Sequence, residues 1–476
     1  MSQTVRTRFA PSPTGYLHVG GIRTALFAWL LARQGQGQFI LRLEDTDRKR
    51  EVAGTAQHLM DSLRALGLEY DEGPDIGGPH APYRQSDRLE RYTEWAQKLI
   101  NAGRAYADPY TAEEVQAFRE QAQKAKQPFL YRNHRPTNPP AWDGGTPLRF
   151  KADPKPYKWQ DAVMGNLSTG PEVIDDFVLI KSDGYPTYNF AHICDDADMQ
   201  ITHVIRGQEF IASTPNYLNL YEALDVTPPI LATMPHILGA DGNKKLSKRD
   251  GAKDVLDYIR EGYLPEAMMN FIATLGWNDG TEQEIFSKDE LIRKFSLDRV
   301  QKSGARFDER RLLWMNGHYI RELPTNTLYD MSASYWPQEA SDATDDYRKQ
   351  VLSIVQERLK YFAELPELTT FFFNDLPVDP TLISTHKQLK KLSTDELKQL
   401  LEQSREVAAN SDFSLDDLTE KLNQLLKTTG QKPAVLFSLI RIAITQSPAS
   451  PGLADTMHVL GKERCLARID QQLAAL

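Results

Sequence analysis

Cysteine is nearly absent from this chain. There are 2 in 476 residues, Cys194 and Cys465, far apart in sequence. Two such thiols build neither a disulfide framework nor a cysteine-rich zinc site. Both are expected as small core residues. Long apolar runs are missing too. The longest near the start, Ala25-Leu26-Phe27-Ala28-Trp29-Leu30-Leu31-Ala32, falls far short of the ~20 residues of a bilayer helix, so no membrane span is expected. The first residues lead straight into a strand-like alternation, without the regions of a cleavable leader, and a cytoplasmic protein is expected. Positive charge is in deficit, with 56 Lys and Arg against 65 Asp and Glu and a net charge of −9. That balance excludes a uniformly basic nucleic-acid binder but leaves room for a local basic stripe, whose affinity would fall with salt. Internal repeats and low-complexity tails are also lacking.

What is present is ordinary globular material, 41% hydrophobic and 25% charged, in a chain long enough for two to four domains. Residues 6–10 alternate as a strand. Residues 11–15 hold two prolines and a glycine and read as a loop. Residues 20–33 have helical spacing, with Leu26, Leu30 and Leu31 toward the core and Gly35 or Gly37 as the stop. Residues 38–43 alternate again. This β-loop-α-β unit opens a doubly wound parallel sheet. Helices are expected over 52–66 and 85–102. Residues 106–184, rich in Pro, Gly, Lys and aromatics, read as an insertion of mixed type. Strands resume at 177–180, 201–206 and 229–238, with a helix over 214–224 between the last two. From about residue 322 onward the spacing is helical, at 345–372, 394–409, 415–427 and 433–444.

Two segments carry chemistry. The first is Pro11-Ser12-Pro13-Thr14-Gly15-Tyr16-Leu17-His18-Val19-Gly20-Gly21. A loop running into a helix N-terminus offers backbone N–H groups and a favourable dipole to an anion such as a phosphate. Gly20 and Gly21 leave room for a flat base or ribose, and His18 suits a phosphate oxygen whose charge grows during displacement. The plainer alternative is a structural turn capped by a histidine. The second segment, Gly239-Ala240-Asp241-Gly242-Asn243-Lys244-Lys245-Leu246-Ser247-Lys248-Arg249-Asp250-Gly251, gathers four cations, a hydroxyl and glycine hinges. Such a loop suits a polyphosphate whose leaving group is pyrophosphate. Its alternative is a solvated basic turn.

As an ordered, widely separated pair, the segments resemble the HIGH and KMSKS loops of class I aminoacyl-tRNA synthetases. Further stretches narrow the resemblance to the bacterial-type glutamyl-tRNA synthetases: Arg8-Phe9-Ala10-Pro11-Ser12-Pro13-Thr14-Gly15, Ile40-Leu41-Arg42-Leu43-Glu44-Asp45-Thr46-Asp47, Lys181-Ser182-Asp183-Gly184-Tyr185-Pro186-Thr187-Tyr188 and His203-Val204-Ile205-Arg206-Gly207-Gln208-Glu209. Pro451-Gly452-Leu453 and Leu460-Gly461-Lys462-Glu463-Arg464 extend it nearly to the C-terminus. The chain departs from the class pattern at Gly21, which replaces the last His, and at Leu246 and Arg249, which replace Met and Ser. Many members carry a zinc knuckle in the insertion. Here Ala105-Tyr106-Ala107-Asp108-Pro109-Tyr110 has no thiolate and His134 is the only nearby imidazole, so no zinc is expected.

The resemblance implies an α/β fold: a Rossmann-type doubly wound parallel sheet with an inserted α/β domain, followed by an all-α C-terminal half. The expected division is 1–105 and 185–235 for the two halves of the catalytic domain, 106–184 for an acceptor-binding insertion, 236–321 for the KLSKR loop and a helical stem-contact domain, and 322–476 for the anticodon-binding region. It implies ATP and Mg²⁺ as cofactors, L-glutamate and tRNA(Glu) as partners, and a monomer. His18, Lys245 and Lys248 would be catalytic. His18, Gly20, Gly21, Lys245, Leu246, Ser247, Lys248 and Arg249 would bind ATP. Arg8, Ala10, Ser12, Glu44, Tyr188, Arg206 and Glu209 would bind glutamate, with the arginines on its γ-carboxylate and Glu44 on its ammonium. Arg358 and Phe371-Phe372-Phe373 are open between anticodon contact and helix core. The rivals are a glutaminyl-tRNA synthetase, expected to have a β-barrel back half, a glutamyl-queuosine tRNA synthetase without that half, and a tRNA-independent nucleotidyltransferase. Loss of Lys248 or Glu44 would mark a non-enzymatic relative, and both are present.

Overall fold

The computed structural model describes residues 4–246 and 253–476. The chain forms two compact units, one of residues 1–259 and 265–309 and one of 260–264 and 310–476. Among the described residues no helix is long and apolar enough to cross a membrane.

The first unit begins as its periodicity predicts, with β1 (Arg6–Phe9), α1 (Val19–Gln34) and β2 (Gln38–Leu41). β1 and β2 run parallel with Arg8 opposite Ile40. Gly37 sits at the tightest point of this unit: a Cβ there would lie 1.9 Å from the Val5 carbonyl oxygen. The expected alternation of β2 is not realised as one buried face, because Phe39, Ile40 and Leu41 are all buried, as befits a strand covered on both sides. α2 (Thr55–Ala65) and α3 (Leu89–Asn101) follow. Then come β3 (Ala105–Ala107), α4 (Ala112–Lys124), β4 (Leu148–Phe150), β5 (Tyr157–Asp161), β6 (Gly165–Thr169) and β7 (Val178–Ile180). α5 (Tyr188–Asp198), β8 (His203–Gly207), α6 (Thr214–Ala223) and β9 (Ile230–Met234) complete the layer.

The main sheet has the order β2-β1-β8-β9-β5-β6, parallel except for the antiparallel β5–β6 hairpin at one edge. The segment expected as one insertion is therefore divided. β3, β4 and β7 form their own antiparallel sheet, whereas β5 joins the main sheet through Asp161 opposite Leu231. The two sheets are not separate bodies. Leu148, Phe150, Leu179 and Ile180 share one core with Phe190, Ile193 and Cys194 of α5 and Tyr217 and Leu220 of α6. The single strand expected over 229–238 is two, β9 and Ile237–Leu238, interrupted at Pro235. Pro235 brings no N–H to a ladder, which accounts for the break.

Strands are absent from the second unit among its described residues. The helical run expected over 345–372 is two helices, Asp345–Val355 and Leu365–Phe373, with Pro366 in the first turn of the second. Helices Thr394–Ala409, Leu415–Thr429, Pro433–Thr445, Leu453–Leu460 and Lys462–Ala475 follow. Ser393 and Glu396 close a reciprocal cap on the first of these, satisfying two otherwise orphaned N–H groups. Buried Arg468 donates to the carbonyls of Phe371 (2.8 Å) and Asn374 (2.9 Å) and pairs with Asp375 (2.7 Å). A cation thus meets the negative end of helix Leu365–Phe373.

Candidate active site

The site forms where β1 and β8 end side by side, the position at which parallel sheets bind ligands. Beyond β1 the chain is held to the extension of β2: Arg42 N–H donates to the Phe9 carbonyl (3.0 Å) and Glu44 N–H to that of Pro11 (3.0 Å). These bonds place Ala10 and exposed Ser12 beside buried Glu44. The loop then enters α1 through His18, whose Nδ1 accepts from Gly20 N–H at 3.1 Å as the helix cap. Gly20 and Gly21 answer a local packing need as well. A Cβ on Gly20 would lie 3.0 Å from the His18 ring, and one on Gly21 would lie 2.6 Å from Leu17 Cδ1.

Behind the loop lies a buried charge network. Arg42, fully enclosed, donates to Glu44 Oε1 at 2.9 Å and to Asp196 Oδ1 at 2.8 Å. Arg8 reaches the same Asp196 oxygen from its Nε at 3.1 Å and the Ile205 carbonyl at 3.4 Å. Asp195 accepts from Arg88 (2.7 Å), Gln85 (2.8 Å) and Tyr92 (3.0 Å). Burial pushes the Glu44 carboxyl up to about 7. Arg42 and Arg8 oppose this without prevailing, and the neighbouring charge of Asp196 adds to the rise. Burial acts upward on Asp196 too, but Arg8 and Arg42 outweigh it and hold that carboxyl down at about 2. Among the described residues, Asp196 Oδ2 nevertheless has no hydrogen-bond partner.

Arg206, at the end of β8, stands apart. It is 7% exposed, and its Nη2 donates to Thr214 at 2.6 Å. Among the described residues its Nε has no hydrogen-bond partner and no carboxylate comes within ion-pair distance of it. Burial draws its pKa down, and a ligand carboxylate would relieve that cost. The guanidinium lies 5.4 Å from the Tyr217 ring centre and 5.8 Å from that of Phe210. Tyr188 stacks on Phe210 (5.4 Å) and on His192 (4.8 Å). His192 is buried, which pushes its pKa down to about 3, and it contacts the Tyr188 carbonyl through Nδ1 at 2.7 Å. Ser12, Glu44, Thr46, Lys181, Tyr185 and Tyr188 line a cavity of about 450 Å³ in front of this wall.

Arg8, Ser12, Glu44, Tyr188 and Arg206 are thus gathered around one end of the sheet, while Glu209 is exposed beyond β8. The second loop starts as a hairpin, with Leu246 N–H donating to the Ile237 carbonyl (2.8 Å) and Gly239 N–H to that of Lys244 (2.8 Å). Lys245 is exposed there and Leu246 half-buried. Ser247, Lys248 and Arg249 lie outside the described residues. Arg42, Asp195, Asp196, His192 and Tyr217 escaped the sequence reading. The usable signals were a lone arginine just after the apolar run Phe39-Ile40-Leu41 and a pair of adjacent aspartates on a helix. In the insertion, His134 stacks on Phe118 at 4.2 Å, and Asp108 binds Arg149 (2.7 Å) and Tyr131 (2.5 Å). In the second unit Phe371 and Phe372 are core residues, whereas Arg358 is exposed.

Comparison with known proteins accords with this geometry. Residues 4–314 match the family described as tRNA synthetases class I (E and Q), catalytic domain, and residues 327–473 match an anticodon binding domain. A glutamate–tRNA ligase of Dehalococcoides mccartyi is 41% identical over 100% of this chain and 98% of its own length. The chain belongs to the glutamate–tRNA ligase family of class I tRNA synthetases. A second ligase of that name, from Roseiflexus castenholzii, is 42% identical over 99% of this chain and 96% of its own. Among solved structures, a glutamate–tRNA ligase from Elizabethkingia meningosepticum, described in complex with its amino acid, matches with a TM-score of 0.87. It has 32% identity, and both chains are covered fully.

Proposed function

We propose that the protein joins L-glutamate to tRNA(Glu) in two steps at the end of the main sheet. In the first, the glutamate α-carboxylate attacks the α-phosphorus of ATP. A carboxylate–phosphorus bond forms, the bond to the β-phosphate oxygen breaks, and diphosphate leaves. In the second, a ribose hydroxyl at the tRNA terminus, expected to be the 2′-OH, attacks the acyl carbon of glutamyl-adenylate. AMP departs and the hydroxyl proton is lost. The protein contributes position and charge rather than a covalent nucleophile.

The observation that carries this reading is the pairing of a buried arginine lacking a carboxylate, Arg206, with a buried carboxyl, Glu44, that burial pushes up to about 7. Glutamate offers the complement, a γ-carboxylate for Arg206 and Arg8 and an ammonium for Glu44. Tyr188 supplies a hydroxyl, and Ala10, Ser12 and Glu209 complete the pocket. His18, Gly20, Gly21, Lys245, Leu246, Ser247, Lys248 and Arg249 hold ATP, with His18, Lys245 and Lys248 meeting the charge that develops on the phosphates. Mg²⁺ accompanies the nucleotide. Among the described residues no three His, Cys, Asp or Glu side chains converge as a metal cage, and no step is assigned to the ion. The helical unit reads the anticodon, and the insertion receives the acceptor end. The protein works as a cytoplasmic monomer.

ATP–pyrophosphate exchange tests the reading. Exchange is expected with glutamate, to require tRNA(Glu) even for this first step, and to be absent with glutamine. Efficient exchange with glutamine in place of glutamate would overturn the assignment.

A further inference from the structure

Arg23 is the only charged residue among the buried residues of α1, where it sits with Val19, Ile22, Leu26 and Phe27. It lies one turn past Val19 and is 4% exposed. Its guanidinium meets neutral oxygens: Nη1 donates to the Leu275 carbonyl at 3.1 Å and Nη2 to the Pro235 carbonyl. Among the described residues its Nε has no hydrogen-bond partner and no carboxylate pairs with the group. Burial draws its pKa down to about 10, so it stays charged at neutral pH. A buried cation without a carboxylate costs more than an apolar side chain filling the same space. What the guanidinium supplies instead is direction, a planar fork that holds two carbonyls from separate segments.

Both segments lead to the root of the second loop. Next to Pro235, the His236 carbonyl accepts from Ala305 N–H at 3.2 Å. Ile237 pairs in parallel with Ala305, and its own carbonyl accepts from Leu246 N–H at 2.8 Å. Leu238 bridges Lys245 across the hairpin. Leu275 follows helix Pro265–Ala273, and the Gly276 carbonyl accepts from Gln301 N–H at 2.8 Å, four residues before Ala305. The two carbonyls held by Arg23 thus belong to the two supports of the hairpin that carries Lys245. Burial, then Lys245 and Arg23, push the His236 pKa down against Glu209, so both cations act on the same imidazole. On the other side, Ile22 N–H donates to the His18 carbonyl at 3.1 Å, which ties the turn before Arg23 to the first loop.

We propose that Arg23 is a positioning residue for adenylate formation. By joining α1 to the Pro235 and Leu275 carbonyls, it sets where Lys245 stands relative to His18 and the glycines of the first loop. This inference rests on the reading of both loops as the ATP site. Being buried, Arg23 acts through the hairpin root rather than by meeting the nucleotide. Its loss changes how well Lys245 meets the phosphates and leaves the glutamate wall, built on α5 and β8, as it was.

Exchange kinetics on the full chain, with tRNA(Glu) present, test this. Arg23→Lys keeps the charge and the apolar stem but replaces the planar fork with a single nitrogen. Arg23→Met removes charge and fork together. Both are expected to raise KM for ATP about tenfold, with KM for glutamate changed by less than about twofold. Lys245→Ala should give a similar selective rise. Adding Arg23→Lys to it should worsen it no further, because the side chain that Arg23 places is gone. Thermal melts accompany each measurement, and if Arg23→Met does not fold, Arg23→Lys carries the test. An unchanged KM for ATP in Arg23→Lys, additive effects in the double variant, or a parallel rise in both KM values overturns the proposal. If Lys245→Ala raises KM for ATP while Arg23→Lys is silent, the role of Arg23 alone fails. If Lys245→Ala leaves KM for ATP unchanged, the reading of the hairpin as part of the ATP site falls, and the role of Arg23 with it.

Discussion

Glu44 allows a pH prediction with a magnitude attached. Its carboxyl is buried and titrates at about 7, against 4.5 for the ordinary group. That difference corresponds to about 3 kcal/mol. The sign follows from linkage. A carboxyl raised on folding favours the folded state fully below pH 4.5, and this contribution is lost as pH rises through 7. An ammonium placed against ionised Glu44 restores part of that loss, so glutamate should bind the ionised form. KM for glutamate should then fall about tenfold between pH 6 and pH 8.5 and level off above 7, roughly one decade per unit below the turning point. The assay is pyrophosphate exchange across that range, with KM for ATP measured in parallel as the control. Thermal stabilisation by glutamate should grow with pH over the same interval. In Glu44→Gln the KM should be high and flat. A flat profile in the unaltered protein, or an unchanged slope in Glu44→Gln, would refute both the titration and the proposed ammonium contact.

Other outcomes follow from the same network and loops. Asp196→Asn removes the carboxylate shared by Arg8 and Arg42, leaving buried cations short of charge. We expect a loss of about 3 kcal/mol in urea denaturation and a KM for glutamate raised more than that for ATP; unaltered values for both would exclude Asp196 as an organiser. Lys248→Ala should lower the turnover of adenylate formation by about two orders of magnitude with an unchanged melting temperature, and full turnover would remove this lysine from the mechanism. Metal analysis of the purified protein should find no stoichiometric zinc, and one tightly held ion per chain would contradict that expectation. Aminoacylation with purified tRNA(Glu) and tRNA(Gln) side by side should show charging of the first, and comparable charging of the second would widen the proposed specificity.

The opening of the fold was legible because its signals are local. The step from alternation to helical spacing between Phe9 and Val19, and back at Gln38, is carried by a few neighbouring residues. Arg8, Glu44 and Arg206 entered through the resemblance of their motifs to the synthetases rather than through any local signal. What stayed hidden depends on partners far apart in sequence. Arg42 meets Asp196 across 154 positions, and nothing near either residue announces the other. Alone, Arg42 reads as an oddity at the end of an apolar strand, and Asp195-Asp196 as a polar patch on a helix. The β5–β6 hairpin was hidden for a similar reason. Its own ladder is local, but its place in the main sheet rests on Asp161, which meets Leu231 and accepts from Thr233 N–H and Oγ1. The Gly21 reading was incomplete in another way. Openness to a ligand was inferred, whereas the structure adds that Leu17 already occupies the space a side chain would need.

The strand order of the main sheet has a consequence for synthesis. β1 is made well before the residue that flanks it on one side, Thr202, which lies 196 positions after Arg6. At the ~5–20 residues per second of translation, the growing chain carries β1 and β2 for about eight to thirty seconds with one ladder edge unfilled. An uncovered parallel edge invites wrong partners. α1 packs on the same unit and can shield its face, but it leaves the edge open. Nascent chains stopped before β8 should therefore be the aggregation-prone species in this protein's biogenesis, and chains extended past β9 should not.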